Sequence, residues 1–200
     1  CSVNDLATDA RLATFSGAVI NAATGEVLFD RNAAIPAATA SVMKVITAAA
    51  ALQALGPNYV VDTKVYADPD NPGTIILVGG GDPTLSATPA GAQSVYKNAP
   101  KLSDLAVKVT AWATANGVQV DNIILDSTLF AGGTPASKWE SSWERSEQTQ
   151  GYMSEVTALQ VDGDRANPSR ETSARSTTPV MNAGRKFKAA LGSTATGATV

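Results

Sequence analysis

Between Asn32 and Val61 the chain runs for thirty residues with a single charged side chain, Lys44. Inside that stretch an alanine- and leucine-rich run extends from Ser41 to Leu55 and is closed by Gly56-Pro57. Glycine just past the last apolar residue accepts a left-handed backbone cheaply, and the proline after it cannot continue the hydrogen-bond ladder. The run therefore predicts a helix. Its longest apolar stretch, Val45 to Leu52, is about half of the roughly 18 residues that a membrane span requires.

Around this helix the pattern alternates. Ser16–Ala22 and Glu26–Asp30 predict two strands joined through Thr24-Gly25, a hairpin signal. Val61 to Val65 and Thr74–Val78 predict two more, the second running into Gly79-Gly80-Gly81-Asp82-Pro83, a turn or loop. Lys101–Asn116 has Leu102, Leu105, Val109, Trp112 and Ala113 at helical spacing, with Gly117 placed to cap it. Strands are expected at Val118–Val120, Ile123–Leu125 and Glu155–Val161, and irregular polar loops at 132–152 and 162–179. Val180, Gly184, Phe187 and Leu191 mark one face of a last helix, stopped by Gly192. Such alternation predicts an α/β or α+β protein. The sharpest break in composition, Asp68-Pro69-Asp70-Asn71-Pro72-Gly73, suggests a first segment of residues 1–66 and a separate α/β module of residues 67–200.

At roughly 150 residues per domain, 200 residues make one or two domains. Alanine supplies 35 of the apolar residues, yet enough larger ones remain for an ordinary core. The chain has no histidine and one cysteine, Cys1. That excludes a Ser-His-Asp triad, a Cys-His dyad, histidine-ligated metals, intrachain disulfides and multi-cysteine zinc sites. No metal and no cofactor is called for. A net charge of -3 gives no electrostatic reason to expect nucleic acid. The charge is uneven, however: residues 165–200 carry six basic groups against one acidic, whereas residues 1–164 carry nine against seventeen. A solvated basic helix explains that asymmetry, and so does an interaction with an acidic polymer. No signal peptide is visible, so the chain is expected to be either cytoplasmic or an already mature secreted protein. Cys1 could carry a lipid, in which case the chain would associate with a membrane.

Without histidine, acid–base chemistry near neutral pH falls to a lysine or carboxylate of shifted pKa, or to tyrosine. Lys44 lies three residues after Ser41 at the start of the predicted helix, and residues at i and i+3 share a face. A lysine in apolar surroundings has its charged form disfavoured, so its pKa is expected to fall toward neutrality. As a neutral amine it can take the serine proton and generate a nucleophile. The helix N-terminus adds N–H groups and a positive dipole end. The plainer alternative is an N-cap serine with a lysine reaching out to water. With sixteen serines and eight lysines, Ser-x-x-Lys is expected by chance ~0.6 times. A second match, Ser94-Val95-Tyr96-Lys97, has no long apolar helix behind it and reads as accidental.

Ser41-Val42-Met43-Lys44 through Leu52, with Leu55-Gly56, resembles the active-site helix of penicillin-binding D-alanyl-D-alanine carboxypeptidases that carry a large insertion after it. Leu77–Ser86, Ile124–Phe130 and Tyr152 through Ala158–Asp162 extend the likeness in matching order over most of residues 15–192. The resemblance implies the N-terminal part of a penicillin-binding/β-lactamase-like transpeptidase domain followed by an inserted α/β module. It implies Ser41 as the acylated nucleophile and Lys44 as the proton acceptor. The implied partners are a peptidoglycan stem peptide and β-lactam antibiotics; the implied place is the cell envelope, outside the cytoplasm. Trp143 and Tyr152, with Glu144 or Glu147, are the residues it suggests for a stem-peptide pocket, although ordinary packing of the two aromatics serves as well.

Some features depart from the family pattern. Pro36 stands five residues before Ser41 rather than two, Lys-Thr-Gly is absent, and the one Ser-x-Asn, Ser2-Val3-Asn4, precedes the tetrad. The expectation is an N-terminal part of a longer enzyme, a processed piece or a degenerate relative. A non-catalytic cell-wall module of the same fold is the competing reading. The Gly79–Gly81 loop lacks the ending of a P-loop, so a tight turn explains it better than a phosphate site.

Overall fold

The computed structural model describes residues 3–130 and 138–200. Cys1 and the first part of the 132–152 loop lie outside them. The chain divides into two compact units, Cys1–Tyr59 and Val60–Val200.

In the first unit a short helix, α1 (Asn4–Ala7), and a 3-10 turn lead into the antiparallel hairpin β1 (Gly17–Ile20) and β2 (Val27–Arg31). The hairpin closes as the Asn21 side chain accepts the N–H groups of Ala23 and Thr24, with Gly25 in a positive-φ conformation. The Arg31 guanidinium ties the strand back to the Ala7 carbonyl. The alanine-rich run forms α2 (Met43–Leu55), and Gly56 (φ 80) stops it, donating its N–H to the Leu52 carbonyl. A helix apolar on all sides is ordinarily an interior element. Here Val45, Ile46 and Leu52 are each more than half exposed, and Ala7 is the one buried residue among those described in the unit.

The second unit is built on a three-stranded sheet in the order β3 (Lys64–Ala67), β4 (Thr74–Val78), β5 (Asn122–Asp126). The Asp68–Gly73 break is the connection of the antiparallel β3–β4 hairpin, in which the Asp68 side chain accepts from Asp70 and Asn71. β4 pairs with β5 in parallel, Ile75 opposite Ile123, across the crossover helix α3 (Leu102–Asn116). Gly117 caps α3 in the left-handed region, as its position predicts. Inside the 132–152 span expected to be irregular loop, a short polar helix of about one and a half turns, α4 (Ser146–Gln150), forms, and the last helix, α5 (Pro179–Leu191), completes the unit. Alternation along β4 points Ile75 and Leu77 inward, where they meet Leu102, Ala106 and Val109 of α3 and Ala183, Phe187 and Leu191 of α5. The result is an α/β fold, as the alternation of the sequence predicts.

Two expected strands do not form. Val118–Val120 is apolar because Val120 is fully buried, but its N–H goes to the Thr194 carbonyl rather than to a sheet neighbour. Glu155–Val161 carries one isolated bridge, Lys138 with Val156. Its Leu159 and Val161 fill the core while Thr157 Oγ1 accepts the Leu159 N–H. In both segments the apolar pattern records burial and not pairing.

The glycine cluster after β4 is a close-approach turn. A Cβ on Gly79 would lie 2.3 Å from the Ala158 carbonyl oxygen, and one on Gly81 (φ 87) 2.8 Å from the Phe130 ring. The N–H groups of Gly79 and Gly81 are already donated to the carbonyls of Asp126 and Ala158, so they do not form a phosphate cradle.

Candidate active site

Ser41 lies in a single 3-10 turn, Ala40–Val42, that feeds directly into α2. The turn is entered through Ala40 at φ 44, a left-handed conformation that costs a residue with a Cβ roughly 1–2 kcal/mol. Strain of this kind persists where the surrounding structure needs the next side chain to point in a particular direction. Ser41 follows that residue directly in the chain.

From the first turn of α2, Lys44 reaches back and its Nζ donates to Ser41 Oγ at 3.0 Å. The i, i+3 spacing thus delivers the contact that it predicts. Val42 occupies the N-cap of α2, and no side chain caps the helix, so Ser41 is not serving as a capping serine. Lys44 has no carboxylate within ion-pairing distance among the described residues. Burial was the expected means of disfavouring its charge, but in this chain Lys44 is exposed, flanked by the exposed apolar side chains of Met43, Val45 and Ile46.

The second tetrad is different. Ser94 and Lys97 lie in irregular backbone, and Ser94 Oγ bonds within its own turn to the Tyr96 carbonyl and N–H.

The pocket residues suggested by resemblance all lie in the Val60–Val200 unit. Trp143 is half-buried and stacks edge-on against Trp139 at 5.5 Å, and Trp139 donates its Nε1–H to the Trp143 carbonyl. The Arg145 guanidinium lies over the Trp139 ring, 4.3 Å from its centroid, and pairs with the buried Glu155. Glu144 is exposed, Glu147 accepts N–H groups from Gly151 and Tyr152 through its carbonyl, and the Tyr152 ring is exposed. No ring contact joins Trp143 to Tyr152 among the described residues. The structure therefore brings Ser41 and Lys44 together, while Trp143 belongs to a tryptophan–arginine stack that sequence reading missed.

A family model described as the D-Ala-D-Ala carboxypeptidase 3 (S13) family matches residues 1–198. The chain is 36% identical over 181 residues to Carboxypeptidase DacB of Mycolicibacterium smegmatis, covering 90% of this chain and 38% of that protein. It is 35% identical over 188 residues to Carboxypeptidase Rv3627c of Mycobacterium tuberculosis, covering 94% and 39%. It is 31% identical over 150 residues to a D-alanyl-D-alanine carboxypeptidase of Actinomadura sp. strain R39, covering 72% and 24%. No solved structure matches significantly. The chain belongs to the S13 family, and it spans less than two fifths of the length of the relatives it matches.

Proposed function

We propose, from that membership, that the chain carries the nucleophile of a peptidoglycan D-Ala-D-Ala carboxypeptidase that works through a serine acyl-enzyme. The single observation that carries the reading is the 3.0 Å contact between Lys44 Nζ and Ser41 Oγ. In the neutral amine form, Lys44 Nζ accepts the Ser41 hydroxyl proton as Oγ attacks the carbonyl between the two D-alanines. The C–N bond then breaks, the proton passes to the leaving amine, and D-alanine departs. Water hydrolyses the Ser41 ester and regenerates the hydroxyl. The Ser41 N–H and the start of α2 stabilise the oxyanion in each tetrahedral intermediate. A β-lactam, whose ring amide has the same bond to break, acylates the same oxygen. Peptidoglycan as substrate places the protein in the cell envelope. Trp143, Glu144 and Tyr152 are proposed to contact the stem peptide. An endopeptidase that cuts cross-links would use the same residues and the same steps.

One oxyanion donor is half of what acyl transfer uses, and the loss of a donor typically lowers the rate ~10²–10³-fold. The chain also supplies no Lys-Thr-Gly cation for the substrate carboxylate. Turnover by these 200 residues alone is therefore expected to be very slow, with acylation easier to detect than hydrolysis. Intact-mass measurement after incubation with a reporter β-lactam tests the reading on this chain and on the longest available form of the protein. An adduct on Ser41, absent in Ser41→Ala, supports it. A longer form that takes up no label overturns it in favour of a cell-wall module that keeps the fold without the chemistry.

A further inference from the structure

The basic segment that begins at residue 165 does not form a solvated helix face alone. Arg165, Arg175 and Lys186 turn inward and line an open cleft of about 840 Å³ within the Val60–Val200 unit, together with Asp162 and Asp164. The cleft is organised by an unusual turn: Asp162, Gly163 and Asp164 have φ of 58, 57 and 55, three left-handed residues in succession. Two guanidiniums hold that turn. Arg165 Nη1 donates to the Asp162 carbonyl and to Tyr96 Oη, and Arg175 Nη1 donates to the Gly163 carbonyl. They converge there: a Cβ on Gly163 would lie 2.6 Å from Arg165 Nη1 and 3.4 Å from Arg175 Nη1.

The charges of the cleft do not cancel. Lys186 pairs with the buried Asp162 at 3.1 Å, and Asp162 is further satisfied by Ser86 and the Ala87 N–H. Asp164 is satisfied by neutral donors, Ser176 and Asn182. Neither guanidinium has a carboxylate within ion-pairing distance among the described residues. Counting three cations against two carboxylates leaves one positive charge. Donors are also left over. Arg175 Nε is buried with no acceptor, and Arg165 Nη2 has none among the described residues. Burial, then the nearby Arg165, pushes the Arg175 guanidinium down from its ordinary value, as expected of like charges held together. A buried donor left unpaired is unfavourable. The cleft is also lined by apolar side chains, Leu102, Pro89, Pro168, Ala189 and Ala190.

We propose that this cleft binds a carboxylate carried on a small aliphatic group, the anion meeting Arg165 and Arg175 and the aliphatic part lying against the alanines of α5. Charge-assisted hydrogen bonds from a guanidinium to a carboxylate are short and strong. Arg165 offers its Nη2, since its Nε already donates to the Glu171 carbonyl, while Arg175 Nη1 and Nη2 donate to the Gly163 and Gly151 carbonyls and its positive charge remains unpaired. One residual positive charge suits a monoanion better than a phosphate dianion. The site is independent of acylation at Ser41.

The test is an amide NMR titration of the chain, at constant ionic strength, with N-acetyl-D-alanine, N-acetyl-L-alanine and inorganic phosphate. Saturable shifts confined to residues 162–166, 174–176 and 182–190, with Kd on the order of 1 mM or tighter, are expected for an acetylalanine. Arg165→Gln should weaken binding at least tenfold. Because that variant can loosen the turn, Ala190→Glu serves as the second: it puts a competing carboxylate at an exposed helix position of the cleft and should cost a similar factor without lowering the Tm. Ser41→Ala, which removes the β-lactam adduct, should leave the titration unaltered, so the two readings fail separately. Absence of saturable shifts with either acetylalanine, tighter binding of phosphate, or wild-type affinity in Ala190→Glu would each overturn the assignment.

Discussion

In the Val60–Val200 unit Phe187, Leu77 and Leu102 are wholly hidden from solvent, whereas in the Cys1–Tyr59 unit Ala7 is the one buried side chain among the described residues. The composition of the two units does not explain this, since α2 is more apolar than α3 or α5. What differs is the arrangement of partners. α3 and α5 each show one apolar stripe, and both stripes close on the inward face of β4 and β5. α2 is apolar around its circumference and finds no comparable enclosure among the described residues of its own unit. The unit with the self-sufficient core thus carries the binding cleft, and the unit without one carries the serine–lysine pair. The closed core and the proposed acyl-transfer pair lie in different parts of the chain, so substitutions should separate stability from the proposed chemistry.

The largest expected effect is chemical. Lys44→Ala removes the proposed base and should slow β-lactam acylation of Ser41 by ~10²–10⁴, measured by intact mass over time, while leaving the thermal unfolding of the second unit in place. Loss of label and Tm together would break the separation. Next in size, Phe187→Ala empties the centre of the closed core and should destabilise the second unit by roughly 3–5 kcal/mol, read from denaturant unfolding. Gly79→Ala forces a Cβ toward the Ala158 carbonyl and should cost about 1–3 kcal/mol. Val45→Ala on α2, by contrast, removes an exposed side chain and is expected to lie within about 0.5 kcal/mol of wild type. A cost near that of Phe187→Ala would show that α2 is enclosed after all. The smallest effect concerns Asp126, whose carboxyl is held below the ordinary aspartate range by the N–H and then the hydroxyl of Thr128. A depressed aspartate contributes stability above its unfolded pKa and loses it as the pH falls through the lowered folded value. Thr128→Val should therefore raise the Asp126 pKa in an NMR titration and trim stability above that range, leaving stability in strong acid as it is.

Legibility from the sequence follows the same division. β4, α3 and α5 could be read nearly to the residue because their periodicity, their caps and their burial agree. Ser41 and Lys44 were legible because an isolated charge in an apolar run stands out and i, i+3 spacing fixes a helical contact. Val118–Val120 and Glu155–Val161 misled because buried loop residues have the composition of strands; the Val120 N–H goes to the Thr194 carbonyl and the Leu159 N–H to the Thr157 hydroxyl, partners distant in pattern or local to a turn. The cleft was visible only as a charge imbalance after residue 164. That Arg165 and Arg175 would turn inward depends on the left-handed turn at Asp162–Asp164, and Asp-Gly-Asp by itself does not announce one.

The parallel pairing of β4 with β5 also has a kinetic consequence. A hairpin such as β3–β4 closes over a few residues and forms in microseconds. Ile75 cannot meet Ile123 until the whole crossover, with α3 inside it, has been drawn together, and that loop closure precedes any gain from the contacts it brings. The second unit should therefore fold at the pace of its crossover. Alterations that weaken α3 would lengthen the time for which the inward face of β4, Ile75 and Leu77, stands open to other chains.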